Sequence, residues 1–459
     1  MKNVKASSLI ITLLLIILSG AAIFAIYRVP ESNPLSQEIE SVSGLTEDGT
    51  EAKADESTKI SELAEKIAAD EDSLSVEMLT YCGENFGAAV LESVFSAIGD
   101  GTYTSDMWHT LTGNTPIVIS DMMSGAIKND KSIHLLDGSD DGNIEIGFVG
   151  DINLADSWNL MQHYKTTAGL SECLSPELIK MMNDVNIMFA NNEFAFSAGG
   201  EAQKGKSYTF RSDPKNVSIL RDLGIDIVST ANNHIYDYGS EAFNDTFDTL
   251  DKAGIAHVGA GKSLDEASAA SYFIVNGRKI AFVAAGETYP QYRTPAAKKD
   301  KEGILPVETK TEAVAAVKAA AAKSDYVIMY AHWGYENLSW YSDEQVDLAR
   351  AFIDAGADFV VGSHPHVLQG MEFYKDKLIA YSLGNFWFNT KTMNTGLLKL
   401  TIDKGGNITP VFHPCLQSGG VTTLLTDGKE KEKVFYFVES HSRNWGIDIK
   451  DDGIITKAK

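Results

Sequence analysis

The stretch "SDEQVDLARAFIDAGADFVVGSHPH", Ser342 to His366, carries a helix signal, a stop, a strand signal and a pair of imidazoles in that order. The helical part closes at Gly356, as a C-terminal left-handed position prefers. The apolar run beginning at Phe359 then reads as a short buried strand. His364 and His366 follow its end, with Pro365 between them. Proline fixes its own φ and biases the residue before it towards extended backbone. Alternate residues of an extended segment point the same way, so both rings are expected to face one cavity. The pair has two readings, local packing or ligation of a metal ion.

The same order of signals recurs along the chain. "NIEIGFVGD" ends at Asp151, "VNIMFANNE" at Glu193, "IDIVSTANNH" at Asn233 and His234, "KIAFVAAGE" at Glu287, "YVIMYAHWGYE" passes through His332, and "LIAYSLGNF" runs through Gly384 and Asn385. Helices alternating with short apolar strands predict an α/β sheet rather than a stack of hairpins. In such sheets the carboxyl ends of the strands form the ligand site. Asp151, Glu193, Asn233, His234, His332, His364 and His366 are therefore expected on one edge. Carboxylate, amide and imidazole without sulfur suit Mn²⁺, Fe²⁺, Zn²⁺ or Mg²⁺. Single motifs have blander readings. Asp151 would also serve as a helix cap, Glu193 as a partner for Lys or Arg, and Asn232-Asn233 as turn residues. His332 alone would be hydrogen-bonded filler, with Glu336 orienting a ring or binding substrate and Asn385 supporting the site at a strand-end turn or binding substrate. His257 and His413 near strand ends are spare candidates.

The chain has 459 residues, a formal net charge of −24 and 10 histidines. The negative balance argues against nucleic-acid binding, which needs clustered Lys and Arg. Cys82, Cys173 and Cys415 form no CxxC pair, so buried free thiols are expected rather than a disulfide framework or a thiolate zinc site.

Lys2 and Lys5 precede an uncharged run from Ala6 to Tyr27, closed by Arg28. Its length suits a bilayer span and exceeds a signal-peptide core. A retained single-pass anchor with the bulk of the chain outside the cytoplasmic membrane is expected, and a cleaved signal peptide is the alternative. Residues 31–72 hold 13 Asp and Glu against 3 Lys, which suits a solvated stalk that includes one helix, "ISELAEKIAADE". Residues 73–140 read as packed accessory helices, with Leu79, Phe86, Val90 and Val94 at helical spacing. The main domain is expected over 141–420 and an extension over 421–459.

"GFVGDINLAD", "ANNEFAF", "STANNHIYDYG", "AHWGYE", "GSHPHVLQG" and "YSLGNFWF" occur in that order between Ile144 and Phe388. Together they resemble the poly-γ-glutamate capsule biosynthesis (CapA-type) family, a branch of the calcineurin-like metallophosphoesterases. The resemblance implies a sandwich of two mixed β-sheets flanked by helices, with a two-metal site on one edge. It implies that Asp151, Glu193, Asn233, His332, His364 and His366 bind divalent ions and that His234 stabilises or protonates the reacting group. Phosphoesterases carry Asp-x-His at the first motif, whereas this chain has Asp151-Ile152-Asn153. One imidazole is missing, which argues against a standard phosphodiesterase.

Three functional readings follow. The first is a metal-dependent hydrolase, acting on a phosphoryl or acyl centre, within synthesis or export of an anionic polymer such as poly-γ-glutamate. The second is a membrane-held accessory factor of a synthase, in which cations bridge protein and polymer carboxylates. The third is a purely structural metal site.

Overall fold

The computed structural model describes residues 49–71 and 73–458. The apolar run Ala6–Tyr27 and the first part of the acidic segment lie outside the described residues. None of the described helices is long and apolar enough to cross a membrane. The chain divides into two compact units, Met1–Phe95 and Ser96–Lys459.

In the first unit the helix Gly49–Asp70 buries Ile60, Ala64 and Ile67, which recur at helical spacing. This part of the segment read as a solvated stalk is thus packed on one face. It meets the helix Val76–Phe86, whose Leu79, Cys82 and Gly83 are buried. A Cβ at Gly83 would sit 2.7 Å from Ile60 and 2.9 Å from Leu91, so the close approach of these helices requires glycine there. The hydroxyl of Ser75 caps the second helix by accepting from the Met78 amide at 3.1 Å.

The second unit is built on two mixed β-sheets. Seven strands matter for the site: β1 Ile144–Ile152, β2 Ile187–Asn192, β3 Ile227–Ser229, β4 Arg278–Gly286, β5 Tyr326–His332, β6 Phe359–Ser363 and β7 Asn385–Trp387. One sheet runs parallel through β7, β1, β2 and β3, and the long strands Met393–Ile402 and Ile408–Ser418 extend it antiparallel beyond β1. The other runs parallel through β4, β5 and β6. Parallel pairing needs crossovers, and helices such as Thr311–Ala321 and Asp343–Asp354 supply them. The second of these starts in a capping box between Ser342 and Gln345 and ends before Gly356 at φ 115°.

Strand periodicity divides the core into layers. In β4, Ile280, Phe282 and Ala284 face the space between the sheets, while Ala281, Val283 and Ala285 face outer helices. In β5, Ile328 and Tyr330 face inward and Val327, Met329 and Ala331 outward. Phe148 and Phe189 from the other sheet meet Phe282 and Tyr330, with Phe189 stacked on Tyr330 at 4.7 Å. Residues 421–459, set apart in the sequence as an extension, supply an edge strand at Val421–Leu424 and place Val434, Phe435, Val438 and Ile447 in this same core. All three cysteines are buried and free.

Candidate metal centre

The polar residues of the site continue the inward-facing rows of the core. In β5 the row Ile328, Tyr330 is followed two residues on by His332. In β2, Ile187 and Phe189 are followed by Asn191, and in β6, Phe359 and Val361 by Ser363. In β1 the register shifts between Phe148 and Asp151, and this irregularity brings Asp151 opposite Asn191. Gly150 lies against β7 so closely that a Cβ would stand 1.9 Å from the Gly384 carbonyl. Donors from both sheets meet because both present their carboxyl ends at the same place.

Two clusters share Glu193. The inner cluster is Glu193, His332 and His364, and the outer is Asp151, Glu193 and His366. In the inner cluster three atoms crowd His332 Nε2: Asn233 Oδ1 at 2.9 Å, His364 Nδ1 at 3.0 Å and Glu193 Oε1 at 3.6 Å. In the outer cluster His366 Nδ1 is 3.3 Å from Asp151 Oδ2, and its Nε2 is 3.9 Å from Glu193 Oε1. Glu193 is fully buried, and its Oε1 has no hydrogen-bond donor. A buried carboxylate oxygen left unpaired costs on the order of 1–3 kcal/mol or more. Convergent lone pairs around it fit a divalent cation, which would satisfy all of them at once.

The electrostatics agree. Burial, reinforced by Asp151, pushes the Glu193 carboxyl well above its ordinary value. Burial holds His332 well below the usual imidazole range and pulls His364 down to about 3, so both rings stay neutral and can ligate. Burial also opposes the charge on His366, but the Asp151 carboxylate outweighs it and raises that pKa.

The two histidines after β6 differ from the extended geometry expected of them. His364 has φ 95° and His366 φ 59°, and the strand ends at Ser363. Left-handed backbone at non-glycine residues costs on the order of 1–3 kcal/mol each and persists where surroundings over-determine it. Here each ring is tethered. His364 Nε2 meets the Tyr292 hydroxyl at 2.9 Å, and His366 Nδ1 meets Asn385 Oδ1 at 2.9 Å. Asn385 is buried, with its Oδ1 against the His366 ring. Glu336 is exposed on the loop after His332, and its charge bears on Glu193, Tyr292 and His366.

His234 sits beside the clusters with Nδ1 2.7 Å from Asp237 Oδ2. Asp237 also pairs with the half-buried Lys206 at 2.5 Å and accepts from the Phe210 amide at 2.7 Å. Burial lowers the His234 pKa against the pull of Asp237. The Phe210 ring packs on His234 at 4.3 Å and Phe388 on His366 at 4.8 Å, shielding one side of each.

Sequence reasoning passed over four supporting residues. Asn191 Nδ2 bridges Asp151 Oδ1 at 2.8 Å and His332 Nδ1 at 3.2 Å. Tyr292 holds His364. Lys206 and Thr294 both donate to the backbone carbonyl of Asn233. Asn191 had a signal, since it continues the β2 row; the other three come from loops without periodicity. His257, a spare candidate, pairs instead with Asp251, and His413 lies within Ile408–Ser418. Asn153 accepts from the Ala155 amide, while its buried Nδ2 has no partner.

Fold and site together define an α/β protein with carboxylate, amide and imidazole donors gathered where two mixed sheets meet. Residues 145–390 match the family described as bacterial capsule synthesis protein PGA_cap, and the chain belongs to that family. It is 37% identical over 217 residues to the PGA biosynthesis protein CapA of Bacillus subtilis, covering 46% of this chain and 56% of that protein. It is 32% identical over 237 residues to the capsule biosynthesis protein CapA of Bacillus anthracis, covering 50% and 57%. The chain thus spans little more than half the length of these curated relatives. Among solved structures, the NAD nucleotidase of Haemophilus influenzae aligns over 65% of this chain and 62% of its own at 12% identity and a TM-score of 0.35. That likeness is too distant to add to the argument.

Proposed function

We propose that this chain acts in synthesis or export of poly-γ-glutamate or a related anionic polymer, through a site that holds two divalent ions. The observation that carries the reading is Glu193, a buried carboxylate with an orphaned oxygen between two donor clusters, in a chain of the capsule synthesis family. The relatives from Bacillus are named for capsule and PGA biosynthesis, which supports the polymer as partner. The uncharged run Ala6–Tyr27 supports retention at the cell membrane with the bulk of the chain outside, where membrane synthase subunits would work beside it.

Asn233, His332 and His364 would hold one ion, Asp151 and His366 the other, and Glu193 both. Such ions supply Lewis acidity at a phosphoryl or acyl oxygen. The protein's own contribution is positional. Asn191 fixes Asp151 and His332, Asn385 and Tyr292 fix the two later rings, and Asp237 orients His234. With Nδ1 donating to Asp237, His234 presents Nε2 to the reacting group, and this nitrogen would donate a proton or a hydrogen bond to developing charge once the ring has itself taken up a proton.

A second reading, a metal-dependent accessory factor without chemistry, draws on Asn153. It stands where phosphoesterases carry an imidazole, and it leaves the outer cluster one donor short. Complementation of a deletion strain separates the two. Hydrolase-like action predicts that the wild-type chain restores polymer while His234→Ala does not, although its metal content is unchanged. Full rescue by His234→Ala with loss of rescue in Glu193→Gln favours the accessory reading. Full rescue by both sinks the metal-dependent proposal.

A further inference from the structure

A second cavity, about 630 Å³, opens between the outermost strands of the two sheets, Ile133–Leu135 on one side and Ala256–Val258 on the other. It shares no residue with the metal centre. Its walls carry Lys131, His134, His257, Lys262 and Ser271. Two polar atoms there are buried without a hydrogen-bond partner, Ser271 Oγ and His257 Nδ1, and Ser271 is only 5% exposed. A hydroxyl buried in this way costs free energy unless something meets it. Both imidazoles are held flat, His257 stacked on Phe247 at 4.8 Å and His134 on Phe273 at 4.8 Å.

The charges decide what would meet these atoms. Three acids line the same cavity, and each is already engaged. Asp251 faces His257 Nε2 at 3.3 Å, Asp248 lies 4.0 Å from Lys252, and Glu266 accepts from the Lys262 amide at 2.8 Å. Lys131 and Lys262 are in no ion pair with a described residue, and both exert their charge on Asp251. The unspent groups are therefore two ammoniums, a hydroxyl and an imidazole. His257 Nε2 faces the Asp251 carboxylate, which leaves the buried Nδ1 without a partner. The two ammoniums and the hydroxyl donate, and charged donors of this kind bind oxyanions.

We propose that this cavity is a binding site for an oxyanion-bearing ligand, a carboxylate or a phosphate, clasped by Lys131, Lys262, Ser271 and His257. The site bridges the open edges of both sheets, so its occupant ties them together. The proposal stands apart from the polymer reading, because phosphate and γ-glutamyl carboxylate offer the same oxygen chemistry.

The test is calorimetric titration of the full chain, stripped of metal with a chelator so that the other site contributes no cation. Two probes are used separately, tri-γ-glutamate and inorganic phosphate. Saturable binding of either one supports the proposal, with the tighter probe naming the source of the oxyanion. The double variant K131M/K262M changes two exposed side chains and leaves the core intact. It is expected to weaken that binding at least about tenfold, and Ser271→Ala less so; added salt is expected to weaken it as well, since exposed charges are screened. His366→Ala is expected to bind as the wild type does. Absence of binding by both probes, or binding of equal strength in K131M/K262M, overturns the proposal.

Discussion

The two donor clusters share Glu193 yet differ in how completely they are built. The inner one has four donor groups, and His332 and His364 are at most 1% exposed. Its rings are tied from behind by Ser363 at 3.0 Å, Asn191 and Tyr292. The outer one has three donor groups, and the His366 side chain is 15% exposed. Its neighbour Asn153 turns towards the backbone instead of contributing a ring. A closed, braced cluster holds an ion firmly, whereas a cluster one donor short keeps a coordination position open to substrate. Under the proposed function, the difference would assign anchoring to the inner cluster and contact with the reacting group to the outer.

Substitutions in each cluster separate the two roles. The largest effect is expected from Glu193→Gln, which removes the shared ligand. Metal affinity at both positions should fall beyond the roughly 10–100-fold typical of supporting residues. Competition with a chelating dye measures this, and a loss confined to one position would contradict the bridging role. Next come His364→Ala and His366→Ala. Bound metal raises thermal stability by mass action, so the Tm increase on adding metal should shrink more in the first than in the second. Equal losses would erase the distinction between the clusters. Tyr292→Phe should then reduce inner-cluster affinity by about 10–100-fold with little change in the metal-free Tm, because it removes only a hydroxyl that orients His364.

The smallest effect concerns Glu287, which follows β4. One oxygen accepts from the Gly334 amide at 2.8 Å and the other is buried without a partner. Burial pushes this carboxyl up to about 8. A carboxyl raised on folding binds its proton more tightly in the native state. Its stabilising contribution is present below about pH 4.3, the ordinary Glu value, and is lost as pH rises through about 8. Denaturation midpoints should therefore decline across that window in the metal-free chain, and Glu287→Gln should flatten the decline. An unchanged slope in the variant would assign it to other groups.

The comparison also shows where the sequence was informative. The rows Ile328–Tyr330–His332 and Ile187–Phe189–Asn191 are visible as alternation, because a strand that crosses a dry core and ends in polar groups leaves a period-two record. The convergence of strand ends followed from that record. The partition into two sheets came only through the family resemblance, since the parallel strands of both sheets have the same apolar signature. The backbone at His364 and His366 was not legible. Pro365 favours extended geometry before it, and partners distant in sequence, among them Tyr292 and Asn385 at 72 and 19 residues, hold the rings otherwise. Local preference failing at a ligand position is what a strained functional site produces. Likewise, charge composition suggested a solvated stalk over 31–72, whereas the spacing of Ile60, Ala64 and Ile67 carried the packing that the structure contains.

The central claim is that strand ends from two sheets hold two divalent ions of unequal tenure. Elemental analysis of the purified full chain, dialysed after loading with Mn²⁺ or Zn²⁺, addresses it directly. The account predicts two ions per wild-type chain, one that survives dialysis in His366→Ala, and none in Glu193→Gln. Metal contents indistinguishable among the three proteins would contradict it.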